Sequence, residues 1–314
     1  MVKDRPMRLM KYILSICLLS FGAMAAAQPN LGKIPEMPGG NPNTLLWEVS
    51  GNGLTQPSYF LGTMHILCPE DAFLSSSVMM VLDKVKEVYF EIDIDNMALM
   101  VSAMASMGMR NDTVLSDLIS TEDYELIQQY FTDKMPLPFA LLRRVKPMLL
   151  SAMLSEQMLP CKAGSGTEML LSEEAQKRKI PTGGLETPAY QFGLFDSIPY
   201  REQAIELVKA IKDSGNNESA GIGKMLEAFQ NQDLTALEEL TTTEMGGMAA
   251  YLNLLIYQRN RNWVERFAEI APEKPALFAV GAGHLPGGEG VISLLKKQGY
   301  TLRPLVNQKP LGRQ

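Results

Sequence analysis

The stretch "ALFAVGAGHLPGGEGVISLLKKQGYTLRPLV", residues 276–306, decides the fold. An apolar run with strand composition ends in Gly281-Ala-Gly-His284. A Gly/Pro turn follows, then "GVISLLKKQ" with helical spacing, then the strand-like "YTLRPLV". Strand, helix, strand in that order is a β-α-β unit. The same order occurs near the other end of the chain. "YFLGTMHILCPE" (Tyr59–Glu70) carries a strand into Gly62-Thr-Met-His65, "SSSVMMVLDKVK" reads as a helix, and "EVYFEID" (Glu87–Asp93) as the next strand. These two contexts hold both histidines of the 314-residue chain. The expected fold is therefore α/β: two related β-α-β halves forming a central sheet, preceded by a strand at about 44–49.

Between the halves, residues of about 97–270 read as a helical insertion. Apolar residues recur at helical spacing in "TEDYELIQQYFTDK", in "PFALLRRVKPMLLSAMLSEQM", in "EMLLSEEAQKRK" and from Arg201 to about Ala268, with a short strand at Ile180–Glu186. The Met-rich "NMALMVSAMASMGM" reads as adaptable core packing, with an apolar lid or peptide groove as the alternative. Residues 44–305 make a single domain, and 306–314 a tail.

The amino-terminal end is a targeting segment. Lys3, Arg5, Arg8 and Lys11 precede the apolar "YILSICLLSFGAMA" and the Ala-x-Ala sites of "AMAAAQ", which is the pattern of a signal peptide over 1–27. Residues 28–43, rich in Pro and Gly, follow as a flexible lead-in. The mature protein is expected in the periplasm or secreted. Removing the leader takes the net charge from −6 to about −9, which disfavours nucleic acid or an anionic membrane as partner. Cys68 and Cys161 remain; an oxidising compartment lets them pair as a disulfide, and two buried free thiols are the alternative.

In a parallel sheet, functional groups collect at the carboxyl ends of strands. His65 and His284 fall there, each three residues after a glycine, Gly62 or Gly281, which lets the backbone turn sharply. Glu91 lies among apolar residues of its strand, where a carboxylate requires a cation or hydrogen-bond donors. His65, Glu91 and His284 converging from adjacent strand ends would make a three-ligand site for a divalent ion. The bland reading has Glu91 exposed at an edge and the histidines capping turns. HExxH and GxSxG motifs are absent, and Pro286 stands where a dinucleotide fingerprint needs glycine.

Together, "YFLGTMHI", "VYFEID", "GGLETPAYQ", "YQRNRNW" and "FAVGAGHLPGGEGVISLLKKQGY" resemble the TraB/GumN family, itself similar to the Tiki metalloproteases, over roughly Leu45 to Leu305. Erythromycin esterases and haem-binding ChaN proteins are more distant relatives. The resemblance implies a site built from His65, Glu91 and His284, and a peptidase dependent on a divalent ion; imidazole and carboxylate donors suit Mn²⁺, Co²⁺ or Zn²⁺. It implies a peptide or protein substrate. Arg259 and Asn260 match an Arg-Asn signature: the guanidinium would bind a carboxylate or an oxyanion, or tie to Glu186. Glu186, a possible general base, and Gln191 match the Gly-Leu-Glu segment, and Glu168 stands where many relatives carry Asp. Two other activities remain open: a metal-independent esterase with a histidine base, and a non-catalytic peptide- or haem-binding protein.

Overall fold

A computed structural model describes residues 32–310, apart from 136–137, 160, 162–165, 215–219 and 244–245. The expected signal peptide lies outside the described residues. Six strands form one sheet: β1 (Leu46–Ser50), β2 (Ser58–Thr63), β3 (Glu87–Ile92), β4 (Thr182–Glu186), β5 (Ala276–Gly281) and β6 (Thr301–Leu305), in the order β4-β3-β5-β2-β1-β6. β5 runs parallel to β2 and β3, β4 runs parallel to β3, and β1 is antiparallel to β2 and β6.

The two β-α-β units expected from sequence are present, with helices α1 (Ser76–Leu82) and α11 (Val291–Lys297) as crossovers. They are interleaved: β5 of the second unit pairs between β2 and β3 of the first. Helix α1 begins where Ser75 Oγ accepts from the Val78 N–H, and it buries Val78, Val81 and Leu82.

Nine helices of the insertion lie among the described residues: α2 (Met97–Ala103), α3 (Thr121–Lys134), α4 (Pro147–Gln157), α5 (Thr167–Arg178), α6 (Pro188–Leu194), α7 (Tyr200–Ser214), α8 (Ala220–Gln230), α9 (Leu234–Thr243) and α10 (Gln258–Ile270). The helix expected over 138–158 is instead a short turn at Phe139–Leu141 and then α4. Pro147 excludes helical backbone from Lys146 but suits the first position of a new helix. A second apolar core, with Ile127, Phe131, Leu150, Leu154 and Leu207 at its centre, holds α3, α4 and α7 together. The Met-rich segment is split: Met109 is buried, whereas Met97 of α2 and Met104 just after it are exposed (68% and 63%).

Part of the stretch read as a lead-in is tied down. Ile34 is buried, and the Met37 N–H donates to the Pro304 carbonyl beside a Glu36–Leu305 bridge.

The core explains how the site is aimed. Phe60, Phe278 and Tyr89 stack across β2, β5 and β3 with ring centroids 5.1 and 5.4 Å apart, and Phe267 of α10 packs on Phe278 at 5.1 Å. On α10 the buried residues are Arg259, Asn260, Trp263, Val264, Phe267 and Ile270, one continuous helical face. Phe267 fixes that face on the middle of the sheet, and Arg259, two turns earlier, is carried to the carboxyl ends of the strands.

Candidate active site

Four neighbouring parallel strands deliver the polar residues. Across β4, β3, β5 and β2, the carboxyl ends carry Glu186, Glu91, His284 and His65 in that order. Glu91, His284 and Arg259 are all more than nine-tenths buried, and Asn260 completely so. Glu91 is thus not the exposed edge acid of the bland reading.

Every oxygen of Glu91 is engaged. Oε1 accepts from the Gly281 N–H at 2.7 Å, and Oε2 accepts from Arg259 Nη2 at 2.6 Å and Gln191 Nε2 at 3.0 Å. Burial alone would raise its pKa, but Arg259 first, then His284, His65 and the Gly281 amide, hold it down at about 2. Arg259 Nε donates to both oxygens of Glu186 at 3.1 and 3.0 Å, and its guanidinium lies 4.7 Å over the Trp263 ring. Burial raises the Glu186 pKa despite that cation. Only Nη1 of Arg259 lacks a carboxylate: it donates to the Leu255 carbonyl at 3.1 Å and lies 3.4 Å from His284 Nε2. A π-helical turn, Asn253–Tyr257, leads into this arginine.

His284 is fixed by Asn260. Asn260 Nδ2 donates to the Glu289 carbonyl at 2.8 Å, so its Oδ1 accepts from His284 Nδ1–H at 2.6 Å. Burial pushes the His284 pKa down to about 3, with Arg259 adding to this against Glu91. The ring is therefore neutral at physiological pH, and its Nε2 lies 3.4 Å from Arg259 Nη1 and 3.8 Å from Glu91 Oε1.

His65 sits differently. Its side chain is 65% exposed, and Nδ1 contacts Glu168 Oε1 at 2.7 Å. Surrounding protein acts to lower its pKa; the Glu168 hydrogen bond and charge, with Glu91 beyond, outweigh this and push it up to about 9. Thr63 Oγ1 also donates to Glu168 Oε1, at 2.5 Å, while the buried Glu168 Oε2 has no hydrogen-bond partner among the described residues.

Gly62 and Gly281 shape the site by leaving space; neither holds a positive φ. A Cβ at Gly62 would come within 2.8 Å of Leu285 and 3.2 Å of the Ala282 backbone; at Gly281 it would press on Glu91 Oε1 at 3.1 Å. Sequence reasoning missed Gly166. A Cβ there would lie 2.0 Å from the His65 carbonyl oxygen, because the start of α5 is laid against that loop, with Thr167 N–H donating to the Met64 carbonyl. The glycines on either side of Ser165 were the available signal. Thr63 and Trp263 carried none beyond their neighbours' motifs.

Residues 45–304 match the TraB/PrgY/gumN family. The chain belongs to that family. Among relatives of known description, it is 24% identical to metalloprotease TIKI1 of Homo sapiens over 95% of this chain and 69% of that protein. It is 24% identical to TIKI1 of Xenopus tropicalis (86% and 62%) and 23% to the TIKI homolog of Nematostella vectensis (92% and 74%). The chain thus spans 62–74% of the length of these relatives. No solved structure matches it.

Their naming as metalloproteases raises the question of whether these residues suit an ion. The donors suit one in kind: two imidazoles and a carboxylate. A 3.8 Å separation of His284 Nε2 and Glu91 Oε1 is close to that of two ligands each about 2.1 Å from one ion. The Nδ1–H bond to Asn260 is the outer support that metal-bound histidines have. Arg259 Nη1 crowds His284 Nε2, however, and among the described residues no three His, Cys, Asp or Glu side chains are arranged to hold a metal ion. His65, turned toward Glu168, is the member out of place. Cys68 and Cys161 form a disulfide, Cα atoms 5.8 Å apart, three residues beyond His65. Among the described residues, no helix is long and apolar enough to cross a membrane.

Proposed function

We propose that this protein is an exported, metal-dependent hydrolase of peptides, its ion held by His284 and Glu91, with His65 joining them once it has lost its proton and turned away from Glu168. The carrying observation is the neutral His284 ring, locked by Asn260 with its Nε2 3.8 Å from the ionised Glu91, in a family whose relatives are named metalloproteases. Mn²⁺, Co²⁺ or Zn²⁺ would supply Lewis acidity, polarising a carbonyl and making water nucleophilic at neutral pH. Arg259 keeps Glu91 ionised as a ligand and offers Nη1 to the carbonyl oxygen of the substrate as charge develops there. Glu186, bound to Arg259 through both oxygens, orients that guanidinium; service as general base would require it to leave the pair. Substrate enters from the His65 side, the only exposed edge of this residue set. The disulfide supports an exported location.

The test is elemental analysis of protein purified without chelator. The wild type should bind one equivalent of added Mn²⁺, Co²⁺ or Zn²⁺, and His284→Ala and His65→Ala should not. Equal metal content in all three would refute the assignment.

One observation favours a second reading. Glu168 holds His65 through Nδ1 and leaves Nε2 on the open side; with the ring pKa pushed up to about 9, the pair would serve as a general base at alkaline pH. A metal-independent esterase would use that pair, and its activity would survive EDTA. Activity lost to EDTA and restored by Mn²⁺ excludes it.

A further inference from the structure

Beside the His65 loop is a hollow of ≈ 100 Å³ that none of the groups above uses. Met64 and Ile66 form one wall, Ser155 of α4 and Leu159 just beyond it a second, and Ile222 and Met225 of α8 a third. Among the described residues no charged side chain lines it, and Ser155 supplies its one side-chain hydroxyl. Met64, Ile66, Leu159, Ile222 and Met225 are each half-buried, and all but Ile66 rest on the core, so the hollow is open and not a sealed packing defect.

Three features define an occupant. The first is position: Met64 and Ile66 are the chain neighbours of His65, so their Cα atoms lie about 3.8 Å from that of the histidine. A peptide held beside His65 would therefore run along this wall with a residue near the scissile bond, since an extended residue advances about 3.3 Å. The second is size. Apolar cavities of about 150 Å³ accept benzene, so ≈ 100 Å³ suits a leucine or methionine side chain. The third is rigidity. Ile66 stands two residues before Cys68 and Leu159 two before Cys161, so the disulfide braces two opposing walls.

We propose that this hollow is a specificity subsite that receives an aliphatic side chain, of leucine or methionine size, flanking the bond that is cleaved. The inference rests on the peptide-hydrolase reading for its role, but its occupancy is measurable without catalysis.

The full protein, labelled with ¹³C-methyl methionine, is titrated with N-acetyl-leucinamide and with N-acetyl-glycinamide. Met64 and Met225 methyl signals should shift with the leucine compound alone, and Met225→Trp, which fills the hollow, should abolish the Met64 response. No leucine-specific shift at either methyl overturns the proposal. Peptides varied through Gly, Ala, Leu, Met and Phe on both sides of the cleaved bond give the second readout. At one position, wild type should prefer Leu or Met over Gly by about tenfold or more in kcat/KM. Met225→Trp should erase that preference while hydrolysing the Gly peptide within threefold of wild type, and Ile222→Ala should shift it toward Phe. A preference unmoved by both variants overturns the proposal. Methyl shifts without cleavage of any peptide sustain the subsite and refute the hydrolase reading.

Discussion

Replacing Arg259 by methionine tests the centre of the site. The side chain that remains is similar in length and apolar, so packing against Trp263 is largely kept and the charge is what disappears. Glu91 Oε2 would retain only Gln191 as donor, and Glu186 would lose both bonds from Nε. Both carboxylates have side chains more than nine-tenths buried. Removing one partner of such a pair costs about 3–5 kcal/mol, because a charge is left without compensation. That is a large share of the roughly 5–15 kcal/mol by which domains are stable, and corresponds to a fall of about 6–20 °C in Tm. Arg259→Lys keeps the charge but cannot fork between Glu91 and Glu186, so its loss should be intermediate. Adding Glu186→Gln to Arg259→Met removes one stranded carboxylate and should recover part of the deficit. Urea and thermal unfolding of the four proteins measure this directly. If Arg259→Met unfolds within 1 kcal/mol of wild type, the buried carboxylates are not held by that guanidinium, and the electrostatic account of Glu91 is wrong.

Gly166→Ala should reduce activity by tenfold or more by displacing the His65 loop, whereas Gly193→Ala, whose Cβ meets nothing within 4 Å, should be neutral; paired assays and melting curves compare them. Unfolding the mature protein without reductant should reveal no free thiol, and Cys68→Ser with Cys161→Ser should lose about 4–5 kcal/mol, as closure of a loop across 93 positions suggests. Asp196 is buried against Lys146, Tyr200 and Arg110; burial raises its pKa, but the bonds from Lys146 and Tyr200 bring it below the ordinary value. Its stabilisation is therefore present above the unfolded pKa of about 3.9 and is lost as pH falls through the lower folded value. Asp196→Asn should be less stable at pH 7 and should show a flatter loss of stability below pH 4, read from urea midpoints.

Local pattern made much of this legible. Both strand-GxxH-helix-strand units, the short strand ending at Glu186 and the placement of the histidines at strand ends follow from periodicity and turn chemistry, and those are encoded within a few residues. Strand order is not. Nothing near Tyr59 or Ala276 says that β5 inserts between β2 and β3, since pairing is decided by faces assembled from distant segments. Gly62 was legible as an important glycine, but the reason assigned to it, a sharp turn, was replaced by contact with Leu285 and Ala282, neighbours that only the folded sheet supplies. Glu168 showed up only as a departure from relatives; its hold on His65 depends on α5 packing against that loop. The break at Pro147 was readable and was overridden by the apolar spacing on either side of it.

The interleaving of the two units has a consequence for how the molecule comes into being. As the chain is synthesised, β2 and β3 emerge early, yet the neighbour both require is the segment 276–281, made nearly two hundred residues later. Until then the first unit is a pair of apolar strands with unfilled edges, and a site missing one histidine. Such dependence on remote pairing slows folding and lengthens the exposure of aggregation-prone strands. It also makes completion a condition of structure: a chain ending before Ala276 should not yield a smaller working domain. It should remain unfolded and open to proteolysis.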